Sequence, residues 1–541
     1  MHSSAIRRTL SIGLGLGSCF LATAAVAGAQ TIERISVTDS GAAANADVDI
    51  VTRPTDDGRT VLFTTAATNF FPNDQPFTLD GFLRDRQLGT TVRVGPQGVS
   101  TDISPDGRLL SHVHMPAWTV HVIDRVANTD TAITTLPVLS TSGLFSANGQ
   151  VLVYMRHDPA VPGDYSIWRR NLATGVEDLV SETTAGTPNF QVALPGTVAP
   201  DGSLVTFTTG DPNIVPGDTN NRPDAFYKDY GFGFTDRYSL DSQGNELPAD
   251  SSAGAFTSDT RFFLFSSFAP AIPADTNGQW DLYVTDRFLG DVRLVSVSST
   301  GALGDASSQS LWAWISPDGV RVIFDSLAST LVPGDTNGTK DIFEHDFESG
   351  LTRRIVMGIG GAQPDQDVEL RGASTDGRYL TILSRATNLV AGAPVAERQA
   401  YLVDRGPQCF VTSYCSANPN STGVPASIQS TGTPSFATNN FVLAGLDLPA
   451  SSACAFFHGT GRVDPPVPFG NGLRCVGGTQ QRLGTLGANG GTVIQFQDLT
   501  APEYAGVQPG SVRRYQLLYR DPAAGAARFN TTAALEVTFC P

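Results

Sequence analysis

The sequence predicts an all-β fold: a β-propeller of about seven four-stranded blades, followed by a C-terminal β-sandwich-like domain. Three observations carry this expectation. A turn-and-strand block recurs at intervals of 42 to 59 residues between residues 30 and 406. Each block offers four short apolar or alternating segments, the content of one propeller blade. The composition, with 55 glycines, 34 prolines and only 16 % charged residues, suits short strands joined by many turns and argues against long helices.

The chain divides at the edges of the repeat. Residues 1–29 read as a signal peptide: Arg7 and Arg8 precede an apolar run from Leu10 to Val26, and Ala27-Gly28-Ala29 offers a small-residue cleavage site. Cys19, in Leu16-Gly17-Ser18-Cys19, gives the alternative of a lipid anchor. Removing that segment takes away two arginines and no acids, moving the formal charge from −17 to −19. So acidic a chain presents no phosphate-binding footprint, which excludes nucleic acid as a partner and suits cations, basic proteins or neutral glycans. No later apolar run reaches membrane-spanning length.

Within residues 30–406 the turns are Asp57-Gly58-Arg59, Asp106-Gly107-Arg108, Asn148-Gly149, Asp201-Gly202, Asp259-Thr260-Arg261, Asp318-Gly319 and Asp376-Gly377-Arg378. Glycine accepts a positive φ there without steric cost. An apolar strand follows ("TVLFTT", "RVIFDS"), then a loop, a strand of the type "GFLRDR" or "LYVTDR", and a last short strand. Aromatic residues fall at two fixed places, Phe63, Tyr154, Phe207, Phe265 and Phe324 in one strand and Phe82, Trp168, Phe226, Tyr283, Phe343 and Tyr401 in the next. Strand alternation puts each series on one face, where large rings pack blade against blade. The last block ends at "AYLVDRG" without its fourth strand, and the orphan strand "IERISVT" after the signal segment is of fourth-strand type. It would complete the last blade and close the ring; a six-bladed ring with one irregular block outside it is the alternative.

The run "SPDGVRVIFDSLASTLVPGDTNGTKDIFEHDFESGLTRR" resembles the TolB-type, WD-like propeller repeat of bacterial periplasmic and secreted proteins. The resemblance covers roughly residues 31–405 and implies a platform for protein interaction or ligand binding. Blades 2 and 3 depart from it by lacking the long acidic loop.

Those loops are the first candidate site. Asp218, Asn220 and Asp224, then Asp275, Asn277 and Asp281, then Asp335, Asn337 and Asp341 repeat one pattern, with a partial copy from Asp74 to Asp80. Oxygen ligands at the first, third and seventh positions resemble the start of a calcium loop, and Asx-capped turns account for the same residues. Asp85, Asp229, Asp286 and Asp346 lie eleven residues after the first acid, but the intervening strand carries each about 15 Å away. The loops should share one rim of the propeller. Blade 2 supplies the second candidate: His112 and His121 replace the paired aromatics and His114 shares their strand face, a set able to hold a transition metal. The bland alternative is neutral rings in a core. His345, at a position that is Arg84 in blade 1, should be exposed.

Residues 407–541 contain Cys409, Cys415, Cys454, Cys475 and Cys540. An exported domain with clustered cysteines implies disulfides, with Cys454–Cys475 and Cys415–Cys540 as candidate bridges. The strings "YCSANPNSTGVPASIQSTGTPS", "FGNGLRCV" and "ALEVTFCP" resemble a C-terminal module of secreted proteins from planctomycetes and other environmental bacteria. Val424 stands where that module has a cysteine, so its pairing is altered here, with Cys409 to compensate. The whole reads as an exported, non-enzymatic binding or scaffold protein that meets a protein or glycan on a propeller face. The alternatives are a calcium-stabilised, adhesin-like surface protein and a hydrolase or lyase with its site in the propeller channel.

Overall fold

The computed structural model describes residues 30–541 apart from 73, 116, 135–142, 158–164, 190, 309–310 and 393–394. Residues 1–29, for which a signal peptide was expected, lie outside the described residues, and Cys19 with them. Seven four-stranded antiparallel sheets follow one another, each in simple up-and-down order. Their innermost strands are Val48–Val51, Gly98–Ile103, Gly143–Phe145, Leu194–Val198, Ser251–Phe256, Trp314–Ile315 and Val368–Ala373. We number the blades 1 to 7 in that order. Blade 7 takes its outermost strand from the N-terminus: Thr31–Arg34 pairs antiparallel with Tyr401–Asp404. The ring is therefore seven-bladed and closed by the orphan strand, as its sequence type implied.

The repeat's residues each have a structural task. In the turn, the Ser or Thr hydroxyl donates to the Asp or Asn side chain, as from Thr55 to Asp57, Ser104 to Asp106 and Ser374 to Asp376, each at 2.6 Å. The glycine that follows sits at positive φ, 66° at Gly58 and 73° at Gly107. Blade 5 has Thr260 there at φ 58°, a conformation that is strained for a β-branched residue. The arginine after the turn then crosses to the acid at the end of the third strand. Arg59–Asp85, Arg261–Asp286 and Arg378–Asp404 each close at 2.8 Å, and Arg108–Asp124 at 2.7 Å. The same acids accept backbone N–H groups of the next turn, Gln87 and Leu88 at Asp85 and Phe288 and Leu289 at Asp286. This is why the repeat needs Arg in one strand and Asp in the next, and why these acids stand at the far end of the strand from the acidic loops.

The two aromatic series meet as cross-strand pairs. Ring centroids are 5.5 Å apart at Phe63–Phe82, 5.6 Å at Phe207–Phe226 and 5.3 Å at Phe265–Tyr283. One apolar cluster fills each junction between neighbouring blades. Phe63 and Phe82 of blade 1 pack with Tyr379 and Leu383 of blade 7, and Phe324 and Phe343 of blade 6 with Leu264 and Val284 of blade 5. The junctions are thus the core, which leaves the channel and the two rims to present side chains.

After Asp404 comes a sandwich. One sheet runs Phe410–Tyr414, Phe529–Thr538, Val512–Arg520, Ala453–Phe469 and Gly472–Arg482; the other is Ser427–Thr431, Val442–Leu446 and Val493–Phe496. Phe456, Tyr515, Leu517 and Val537 face Ile428, Leu443 and Val493 across the core. Its cysteines pair as Cys409–Cys540 and Cys415–Cys475, with Cα separations of 4.9 and 6.3 Å. This corrects both candidate bridges. Cys454 and Cys475 do lie on neighbouring strands, but register separates them: Cys454 stands opposite Leu486 and Tyr519, whereas the residues flanking Cys475 oppose Arg462 and Val467. Cys454 stays a buried free thiol.

Candidate functional site

Three places on the propeller concentrate chemistry: the channel, the acidic rim and the histidines of blade 2. The channel holds a cavity of about 240 Å³ walled by the innermost strands of six blades. Ile50, Val51, Leu144, Phe145 and Trp314 make its apolar wall, while Leu311 and Trp312 of the crossover into blade 6 stand 53 % and 42 % exposed at its edge. Of the charged residues that line it, Arg53, Asp102 and Arg371 are ion-paired, whereas Asp49 stands in no ion pair among the described residues and burial raises its carboxyl above the usual range. Arg53 forks onto Asp102 with two contacts of 3.0 Å, and Asp102 also accepts the Phe145 N–H. Burial raises the Asp102 carboxyl above its usual range, against the pull of Arg53. Arg371 pairs with Glu369, and in a second, adjoining cavity Lys340 lies 3.9 Å from Asp325. None of these residues was singled out from the sequence, because the innermost strands carry no motif beyond their apolar pattern.

The acidic loops each join the second and third strands of a blade. Each hydrogen-bonds the crossover that enters the next blade: Asn220 to the Leu247 carbonyl at 2.7 Å, and Asn277 to Gly304 and Asn337 to Pro364 at 3.0 Å. The loops therefore share the rim on which Trp312 stands, as expected. What the sequence did not reveal is an internal cation. In blade 6 Arg354 meets Asp335 at 2.7 Å and Asp341 at 3.0 Å, all three side chains being at most 6 % exposed. In blade 4 Arg237 lies 3.5 Å from both Asp218 and Asp224 and also pairs with Glu246, and in blade 1 Arg93 pairs with Asp80. Register explains the recurrence, since Arg93, Arg237 and Arg354 stand opposite the second aromatic of their blades, at Phe82, Phe226 and Phe343. A guanidinium thus stands beside the loop carboxylates in blades 1, 4 and 6, and Asp218, Asp224 and Glu246 each offer a ligand atom within 4.8 Å of the others.

Blade 5 departs from this. Its fourth strand places Leu294 opposite Tyr283, and the Tyr283 hydroxyl donates to Asp275. Asp281 is fully buried and accepts from Ser296 at 2.5 Å. Burial pushes the Asp224, Asp281 and Asp341 carboxyls up to about 6; arginine opposes that rise in the first and third, and only neutral hydrogen bonds do so at Asp281.

The hairpin of blade 2 pairs His112 opposite His121, as the sequence implied. His112, however, is fully buried and occupied: Nδ1 lies 3.2 Å from the Ser100 hydroxyl and Nε2 3.1 Å from the Pro96 carbonyl. Burial drives it down to about 4, so it is neutral. This removes His112 from the three-histidine set. Instead Asp130, from the outermost strand, joins the other two: His121 Nδ1 lies 2.7 Å and His114 Nε2 3.5 Å from its carboxylate. His345 is buried rather than exposed, because Thr352 opposite it bonds its Nδ1 at 2.8 Å.

No protein-family model and no curated protein matches the chain. Among solved structures it is similar to TolB from Acinetobacter baumannii at 14 % identity, covering 60 % of this chain and 76 % of that one, with a TM-score of 0.33. The β-propeller domain of the Trilobed protease from Pyrococcus furiosus matches at 13 % identity over 66 % of this chain and 95 % of that one, with a TM-score of 0.42. The acylaminoacyl peptidase of Pyrococcus horikoshii matches at 12 % identity over 74 % and 57 %, with a TM-score of 0.43. The assignment of a seven-bladed, N-terminally closed propeller rests on the sheet order and strand register, to which these likenesses add no residue-level correspondence.

Proposed function

We propose that the chain is an exported, non-enzymatic binding protein that receives one anchoring group of a partner protein in the mouth of its propeller channel. The cavity carries this reading. At about 240 Å³ it is smaller than the roughly 300–1,000 Å³ of a small-molecule site and suits one large side chain. Leu311 and Trp312 expose apolar surface at its edge, the setting in which a buried anchor contributes most of the binding energy. Arg53 and Asp102 are engaged with each other and Arg371 with Glu369, which suits a largely fixed wall, with Asp49 the one lining carboxylate among the described residues outside these pairs. Two disulfides in the sandwich fit an oxidising compartment outside the cytosol, and among the described residues no helix is long and apolar enough to cross a membrane.

A glycan is the second reading, favoured by the exposed Trp312 face, on which a sugar ring can stack. Peptide and oligosaccharide arrays probed with the wild-type chain and with Trp312→Ala separate the two. Retention of peptides by the wild type and their loss in a variant that melts at the wild-type temperature is the expected result. Retention of oligosaccharides alone would favour the glycan, and cleavage of any array component in a Trp312-dependent manner would overturn the non-enzymatic reading.

A further inference from the structure

His114, His121 and Asp130 lie on a diagonal across three consecutive strands of blade 2, on one face of the sheet. The ligand atoms they offer, one from each residue, all fall within 4.8 Å of one another. Two imidazole nitrogens and one carboxylate oxygen are the donor set of a borderline divalent cation such as zinc. The ligands of a tetrahedral zinc ion, bound at about 2.0–2.2 Å, stand roughly 3.3 Å apart. The contacts of 2.7 and 3.5 Å from the two imidazoles to the Asp130 carboxylate straddle that spacing.

Two further observations favour a cation at this place. The His114 Nε2 atom is out of contact with solvent and has no hydrogen-bond partner, although it faces the Asp130 carboxylate. A buried acceptor or donor left in that state is costly, and a metal ion relieves it. The neighbouring blade shows what otherwise occupies the place. In blade 3, Arg156 holds the register position of His114, Glu177 holds that of Asp130, and the two form an ion pair at 3.3 Å. Blade 3 thus carries its cation in the chain, whereas blade 2 offers a carboxylate and two imidazoles with no basic side chain paired to them among the described residues.

We propose that His114, His121 and Asp130 form a binding site for one divalent transition-metal ion of the zinc class, with a remaining coordination position open to solvent. The two rings are stacked, with centroids 3.5 Å apart and planes at 17°. Binding turns them about χ2 so that the two lone pairs converge, and the Asp130 side chain, 41 % exposed, follows from the outer strand. His112 remains the neutral ring beneath the site, held by Ser100 and Pro96, and is not a ligand.

The test uses the full chain after chelator treatment and dialysis. Zinc(II) is titrated calorimetrically, and cobalt(II) by the visible absorption band that a tetrahedral site produces. One equivalent of zinc is expected. Asp130→Asn and His114→Gln should each weaken binding by more than the roughly 10–100-fold that loss of an outer-shell partner costs. His112→Phe, which restores the aromatic type of the sister blades, should keep it. Near-ultraviolet circular dichroism and melting temperature confirm that each variant is folded. No stoichiometric binding by the wild type overturns the proposal. So does binding that survives in folded Asp130→Asn and His114→Gln, or binding that is lost in folded His112→Phe while Asp130→Asn retains it.

Discussion

Replacing Arg354 by leucine gives blade 6 the residue that blade 5 has at the same register, Leu294 opposite Tyr283. The substitution strands two carboxylates, Asp335 at 4 % and Asp341 at 0 % side-chain exposure, without their counter-ion. Removing one member of a buried ion pair costs about 3–5 kcal/mol, because the charge left behind keeps its desolvation penalty. For a propeller of this size, larger than the domains whose melting point moves about 2–4 °C per kcal/mol, that corresponds to a fall of roughly 3–10 °C. Part of the loss is relieved by protonation, since burial already holds Asp341 at about 6 against the pull of Asn337 and Arg354. Scanning fluorimetry at a fixed heating rate, in calcium-free buffer at pH 7.5, reads the shift. The double variant Arg354→Leu/Phe343→Tyr copies blade 5 further and should regain part of it, its new hydroxyl reaching Asp335 as that of Tyr283 reaches Asp275. An Arg354→Leu chain that melts with the wild type would refute the view that arginine is the structural cation of these loops.

Two more outcomes follow from the same geometry. Thr260 occupies a turn position that is glycine in the sister blades and sits at φ 58°, so Thr260→Gly should raise stability by about 1 kcal/mol, read as a higher urea midpoint; an unchanged or lower midpoint would show that the turn carries no strain. Asp281 has its pKa raised from 3.8 to about 6 by burial, so its contribution is complete below the unfolded value and is lost as pH rises through 6. Asp281→Asn should therefore melt above the wild type at pH 8 in calcium-free buffer, with the difference shrinking toward pH 4; a variant less stable at pH 8 would mean that the Asp281 carboxylate is held charged by a cation.

Much of this architecture was legible because the repeat states its own rules. Asp-Gly turns, paired aromatics and the Arg and Asp at opposite ends of adjacent strands are local, and each is used in the same way in blade after blade. The orphan strand was legible for the same reason, since it matched a part that the last block lacked. Functional detail was harder to read wherever it depended on register between distant segments. Arg93, Arg237 and Arg354 lie on the fourth strand and reach back across the third to the loop that precedes it, so only the pairing opposite Phe82, Phe226 and Phe343 reveals their role. An arginine in that strand of three insert-bearing blades, against Leu294 in the other, was the signal available. Asp130 was hidden in the short, exposed strand Thr129–Ala132, whose sequence has no chemical distinction of its own. The cysteine pairing failed for a related reason: neighbouring strands do not bring two residues together when their registers are far apart, as at Cys454 and Cys475.

The strand that completes blade 7 also orders events in time. Blades 1 to 6 are each built from one continuous stretch of chain, so they can form as local hairpins. Blade 7 must wait until residues 401–404 meet residues 31–34. In entropy this delay is minor, because loop cost grows only with the logarithm of length: closing the whole ring costs about 1.6 kcal/mol more than closing a loop the size of one blade. In kinetics it matters more. Until residues 31–34 join, the strand Gln399–Asp404 is paired only with Tyr379–Ser384, and its open outer edge would accept the Thr31–Arg34 segment of another copy as readily as its own. Chains crowded together before closure would exchange first strands and link into dimers or longer assemblies, whereas dilute chains would close on themselves.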